Sequence, residues 1–146
     1  MSDTYGRHRE QPGRADVFFY GLFMDPDLLR AEGYAPENVE LASAPGFALR
    51  IGARATLMVD PASRAYGTVM SLTPAELERL YSAPDLQAYQ PETVLVHPAG
   101  GGVIAALCYR LPEPPILGDR NPDYAAKLHR VAQKMGLPPE YVASLK

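Results

Sequence analysis

Tyrosine provides much of the side-chain chemistry in this sequence. There are nine tyrosines, and Tyr20, Tyr81, Tyr89 and Tyr109 are spread along the chain. A phenol can fix the orientation of a carboxylate or an amine, and it serves as well in a core, where its hydroxyl needs one partner. Tyr20 stands directly before Gly21, at the end of the apolar run Val17-Phe18-Phe19-Tyr20. Glycine there permits a positive φ and lets a ligand come close to the main chain. The same glycine also suits a plain strand-to-helix turn. Arg50 and Arg54 can pair with a carboxylate, although arginines beside a strand are as readily solvated. Cys108 is the one cysteine, and apolar residues precede it. With no cation or helix N-terminus in view, it reads as a buried structural thiol and not as a nucleophile. His8, His97 and His129 are too far apart for metal-ligand spacing, so no metal is expected.

The elements that position these residues belong to a soluble globular domain. The chain has 146 residues, 47% hydrophobic and 21% charged, with a formal net charge of -3. That size suits one core. Cationic and anionic residues are mixed, so no basic stripe marks a nucleic-acid partner. No apolar run approaches the ~20 residues that span a bilayer. Residues 1–15 read as a polar tail without a secretory signal, and residues 16–146 as the domain. A single cysteine favours a reducing compartment, and a cytoplasmic location is expected.

Val17–Tyr20 reads as a buried strand. Asp25-Pro26 starts a short helix that Gly33 ends. Its N-terminus near Gly21 favours an anion. Pro45-Gly46 reads as a turn before a half-buried strand carrying Phe47, Leu49 and Ile51. Two further strands are expected, Thr56–Val59 closed by Asp60-Pro61, and Arg64–Leu72. Gly67 inside the latter predicts a bulge or a close backbone approach. Thr73-Pro74-Ala75-Glu76 has the form of a capping box. Glu92–His97 and Val103–Leu111, joined by Gly100-Gly101-Gly102, predict a hairpin. Pro112, Pro114 and Pro115 predict an irregular crossing. Asn121-Pro122-Asp123 opens the longest helix, with Tyr124, Leu128, Val131 and Met135 on one face and Gly136 at its end. Pro138-Pro139 opens a last short helix. The sum is an α+β domain: a mixed, mostly antiparallel curled sheet or small barrel of five or six strands with flanking helices.

The order of these features resembles the γ-glutamyl cyclotransferase-like superfamily. The resemblance is carried by Phe19-Tyr20-Gly21-Leu22-Phe23-Met24, Pro45-Gly46-Phe47, Tyr66-Gly67-Thr68-Val69, Leu72-Thr73-Pro74-Ala75-Glu76-Leu77, Tyr89, Ala106-Leu107-Cys108-Tyr109 and Asn121-Pro122-Asp123-Tyr124. It implies a reaction in which the α-amine of a γ-glutamyl amide attacks its own side-chain carbonyl and releases 5-oxoproline and a free amine. No cofactor is implied, because the nucleophile is intramolecular. By resemblance, backbone amides of the turn Tyr20, Gly21, Leu22 and Phe23 hold a small-molecule ligand, with Tyr89 and Tyr109 beside it. Tyr124 reads as helix packing. Oligomeric state is left open.

The family's acid/base Glu should fall at Ala83 or Pro84, and neither can move a proton. Three readings follow. Asp85 replaces the Glu, though it comes one or two residues late and is one methylene shorter. Glu92 or His97 supplies the base from the next strand. Or catalysis is lost, leaving a pocket that binds without turnover or a fold retained for interaction alone.

Overall fold

The computed structural model describes residues 13–113 and 121–145. Most of the expected tail, and the crossing at Pro114 and Pro115, lie outside the described residues. Arg14 donates to Ser71 Oγ at 3.1 Å and to the Ser71 carbonyl at 2.8 Å. Five strands follow: β1 (Ala15–Phe19), β2 (Glu37–Ile51), β3 (Ala55–Leu72), β4 (Gln90–Pro98) and β5 (Ile104–Arg110). They form a closed barrel in the order β1-β3-β2-β4-β5. All neighbours are antiparallel except β1 and β5, whose parallel pairing at Val17↔Leu107 closes the barrel. A mixed α+β barrel is therefore present as expected.

Among the described residues the strand count settles at five because two expected strands are one. Thr56–Val59 and Arg64–Leu72 both lie in β3 and pair with the same β2. Asp60-Pro61 does not end the strand. Asp60 accepts from the Ala62 amide at 3.1 Å and from Ser63 Oγ at 2.7 Å, a local turn that bulges out while the strand goes on. Opposite it, the turn expected at Pro45-Gly46 is also a bulge: the register shifts between Pro45 and Phe47, and Gly46 has φ 87°. A turn signal between two alternating runs cannot be told from a bulge without the partner strand.

Among the described residues four helices pack around the barrel: α1 (Pro26–Ala31), α2 (Pro74–Leu80), α3 (Pro122–Met135) and α4 (Pro139–Ala143). The capping box of α2 is complete, with Glu76 Oε1 accepting from the Thr73 amide at 2.9 Å. Asn121 caps α3 by accepting from the Tyr124 amide at 3.2 Å, and Gly136 ends it with φ 80°. β1 is buried on both faces. Phe18 and the following Tyr20 point into the barrel with Leu57, Val69, Val96 and Cys108. Val17 and Phe19 face the helix layer with Met24, Leu29, Leu72, Leu80 and Leu128. Small residues (Ala42, Ala44, Ala65, Ala106) leave room in the barrel for the large Phe18. Burial pushes the Cys108 thiol up to about 12, which makes it inert, as its apolar surroundings predict. Among the described residues no helix is long and apolar enough to cross a membrane.

Gly67 is the tightest point between β3 and β1. A Cβ there would stand 2.1 Å from the Phe19 carbonyl oxygen and 3.1 Å from Tyr20 Cα. The close approach expected at this glycine is real, and backbone has no means of yielding cheaply. Gly67→Ala should lower stability in urea unfolding by at least about 1–3 kcal/mol. Gly46→Ala, where a Cβ meets nothing within 4 Å, should cost only about 1 kcal/mol through its positive φ. Equal costs at the two positions would refute this reading.

Candidate functional site

β1 ends at Phe19, and the chain reverses through Tyr20 and Gly21 into a single 3-10 turn, Leu22–Met24. A cavity of about 520 Å³ opens against this reversal. Its floor is the segment Phe18 to Phe23; its walls bring Tyr81, Tyr89, Tyr109 and Tyr124 from four parts of the chain. The sequence-predicted ligand-binding residues Tyr20, Gly21, Leu22, Phe23, Tyr89 and Tyr109 all line it, and so does Asp85.

The walls are stacked aromatic rings. Tyr81, at the C-terminus of α2, lies on Tyr109 of β5 with centroids 3.7 Å apart and planes 8° apart. Tyr89 sits beyond it, 6.4 Å from Tyr81. Two hydroxyls are committed to the scaffold. Tyr20 donates to the Tyr109 carbonyl at 2.7 Å, and Tyr89 donates to the Ala55 carbonyl. Tyr20 thus ties the end of β1 to β5, and Tyr89 ties the loop after α2 to the start of β3. Burial pushes all five cavity tyrosines above their ordinary value of 10.0: Tyr124 to about 12, and Tyr20 and Tyr81 further still.

Gly21 departs from expectation. Its φ is -106°, so the turn does not use a positive φ. What the glycine provides is space, and a side chain fills it. The Tyr124 hydroxyl oxygen lies 2.6 Å from where a Gly21 Cβ would stand. Tyr124 is therefore a site residue as well as a packing residue of α3. Spacing on the helix marks only its apolar face, and nothing in the sequence shows that its hydroxyl reaches this turn.

The anion expected at the N-terminus of α1 is already present as protein. Asp25 caps the helix by accepting from the Asp27 amide at 3.0 Å, and Lys134 Nζ donates to Asp25 at 2.7 Å and to Asp27 at 3.1 Å. This clamp joins α1 to α3 and leaves no vacancy for a ligand carboxylate.

The charged groups of the cavity stand at its rim. Among the described residues the only buried carboxylate in the protein is Asp25. Asp85 and Glu32 line the cavity but are exposed. Arg54, in the loop between β2 and β3, lines the same rim; Arg50 does not. Glu32 follows α1 and carries no motif, so sequence reasoning missed it. The loop after α2 is held by turns, with the Leu86 amide on the Ala83 carbonyl at 2.9 Å and the Tyr89 amide on the Leu86 carbonyl at 3.1 Å. This winding turns Asp85 and Leu86 to the cavity, and Ala83 and Pro84 are not in its lining. Glu92 and His97 are elsewhere. Glu92 is bonded to Arg110 at 2.6 Å, and His97 pairs with Ser43 in the sheet. The reading that either supplies a base is corrected by this placement: β4 runs along the barrel away from the reversal after β1. No group of three or more His, Cys, Asp or Glu side chains is arranged to hold a metal among the described residues.

Residues 17–128 match the family described as "Gamma-glutamyl cyclotransferase, AIG2-like". The chain belongs to this family. Solved structures of the same fold include one described as a γ-glutamyl cyclotransferase, at TM-score 0.74 and 20% identity, covering 90% of this chain and 86% of that one. An uncharacterized protein from Homo sapiens follows at TM-score 0.72 and 21% identity, covering 91% and 86%. A γ-glutamyl cyclotransferase specific to glutathione from yeast is similar at TM-score 0.64 and 17% identity, covering 91% and 94%. A search of curated proteins found no match. At these identities the likeness to the solved structures is one of fold.

Two predictions follow from this packing of family residues. Gly21→Ala should push the tip of Tyr124 aside and destabilise the protein. In a Tyr124→Phe background the same change should cost less, by about 0.5–3 kcal/mol of coupling in a double-mutant cycle of unfolding free energies. Additive costs would show that Gly21 and Tyr124 do not touch. The phenols set a second. The folded state holds their protons more tightly than the unfolded chain does. The stability this confers is complete below pH ~10 and is lost as the pH rises toward the folded values, at up to about 1.4 kcal/mol per pH unit for each group. Unfolding should therefore set in between pH 10 and about 12, the folded value of Tyr124, with the buried cavity phenols ionising together with the loss of the fold. Ionisation of Tyr20, Tyr81 and Tyr124 near pH 10 with the fold intact would contradict it.

Proposed function

We propose that the chain binds a small γ-glutamyl or other carboxylate-bearing molecule in the cavity beside the Tyr20–Phe23 turn, with weak, altered or absent cyclotransferase activity. One observation supports this most: the cavity is open and walled by tyrosines, while its carboxylates, Asp85 and Glu32, stand only at the exposed rim. Such a place can enclose a ligand. Cyclisation demands more. A base must take a proton from the substrate ammonium so that the free amine can attack the side-chain carbonyl. The amine that leaves must then receive a proton. The acid/base group has to come within ~3 Å of those atoms, directly or through a water. An aspartate on the rim can do so only if the substrate amine also lies at the rim.

A second reading keeps turnover and assigns the proton transfers to Asp85. It is supported by the place of Asp85 on the lining, close enough to Tyr89 for its charge to disfavour the tyrosinate.

Thermal unfolding with γ-glutamyl amides, amino acids and small acids separates these readings from a fold kept for interaction alone. At a ligand concentration a hundred times Kd, stability should rise by about 2.7 kcal/mol, a shift of roughly 5–10 °C for a chain of this size. No shift with any of them would remove the binding proposal. Assay of 5-oxoproline release should show at most slow turnover. Fast release abolished in Asp85→Asn would establish the second reading, and release that survives Asp85→Asn would exclude Asp85.

A further inference from the structure

The cavity gathers most of the chain's aromatic side chains. Eight of its lining residues are phenylalanine or tyrosine, out of four phenylalanines and nine tyrosines in the sequence. Three of them form a ladder of rings: Tyr89 lies 6.4 Å from Tyr81 at 56°, and Tyr81 lies 3.7 Å from Tyr109 at 8°. On the floor, Phe23 meets Phe19 edge to face at 6.3 Å. In a core such rings are closed over by their neighbours. Here they border a space of about 520 Å³, a size that holds a small molecule whole. A γ-glutamyl group is small and polar and fills only part of it. The remainder offers carbon to a ligand, because the charged residues of the lining, Glu32, Arg54 and Asp85, stand exposed at the rim.

Resting on the binding reading above, we propose that the cavity takes a γ-glutamyl arylamide, with Tyr81 as the residue that selects an aromatic ring over an alkyl group. Ring pairs prefer edge-to-face or offset contacts with centroids ~4.5–7 Å apart, and they gain beyond the burial of their area. A ligand ring added to the ladder continues that series. Tyr81 is the middle rung, brought in by the end of α2. Tyr20 and Tyr89 spend their hydroxyls on backbone carbonyls. Among the described residues the Tyr81 hydroxyl is in no hydrogen bond, so its ring can be replaced without cutting one. An arylamide also asks least of the loop after α2. On cyclisation the lactam C–N bond forms as the amide C–N bond breaks, and two protons leave the ammonium, one to water and one to the departing nitrogen. An arylamine is a weaker base than an alkylamine and departs with less help from an acid.

Isothermal titration with γ-glutamylanilide, γ-glutamylcyclohexylamide and γ-glutamylmethylamide tests the assignment. The first two are alike in size and differ in aromaticity, and the third lacks the ring. The wild-type chain should bind the anilide about ten-fold or more tighter than the methylamide, from the added apolar burial. It should bind the anilide roughly three- to tenfold tighter than the cyclohexylamide, the worth of one ring pair. Tyr81→Leu keeps apolar bulk and removes the ring, and it should cut the anilide's lead over the cyclohexylamide to within about twofold. A merely structural role would weaken all three probes alike and leave that ratio as it was, which would overturn the role of Tyr81. Equal affinity of the wild type for anilide and methylamide, or a cyclohexylamide bound as tightly as the anilide, would overturn the ligand class while the binding reading stands, with no variant needed. Absence of binding by all three would remove both proposals.

Discussion

Everything in this protein hangs on the burial of β1 from both sides. A five-residue strand has little surface, yet it feeds two cores at once: Phe18 and the adjoining Tyr20 fill the barrel, and Val17 and Phe19 anchor the helices. β3 grips it along its whole length, from Ala15↔Leu72 to Phe19↔Thr68. The grip is close enough that only glycine fits at position 67. Thr68, fully buried, then donates to the Met24 carbonyl at 2.8 Å, so the strand that clamps β1 also fixes the turn after it. The chain reversal at Tyr20–Phe23 is thus held by Thr68, a residue with no place in the cavity lining.

The cavity follows from that fixed point. Its walls come from the end of α2, the loop after it, β5 and α3, elements far apart in sequence. What makes them one surface is a small number of cross-connections: Tyr20 to β5, Tyr89 to β3, and the stack of Tyr81 on Tyr109. The Lys134 clamp on Asp25 and Asp27 holds α3 against α1, and with it the helix that brings Tyr124 to Gly21. Exposed ion pairs add little stability singly. This one includes a buried carboxylate, and its consequence is positional.

Some of this was legible in the residues. The run Val17–Tyr20 is apolar without alternation, which is the mark of a strand covered on both faces. Thr73 with Glu76 spelled out a cap. Gly67 inside a strand marked either a bulge or a close approach, and the structure shows the close approach. The order of weak motifs was enough for the family, which the match over residues 17–128 bears out. Three things were not legible. A bulge and a turn share the same local residues, so Pro45-Gly46 and Asp60-Pro61 were misread until the partner strand was known. The state of Gly21 depends on Tyr124, a contact across more than a hundred positions that no local pattern encodes. The charge at the helix start was legible as chemistry, but the side chains answering it were the protein's own.

The carboxylate that the resemblance implies after α2 and the cavity beside it are encoded separately, so Ala83 and Pro84 can stand at that place while the cavity remains. The walls depend on packing among many residues in two cores, and losing any one of them would be felt through the fold. The acid/base group depends on one side chain at one loop position. The loop here is wound by its own hydrogen bonds, the Leu86 amide on Ala83 and the Gln87 side chain on the Ser82 carbonyl at 2.9 Å. It does not need a carboxylate to keep its shape. With Leu86 turned inward and Asp85 at the edge, the loop closes one side of the cavity with carbon and leaves its charge in water. Enclosure comes from packing among many residues, whereas a titratable group at one position of the cavity comes from a single side chain.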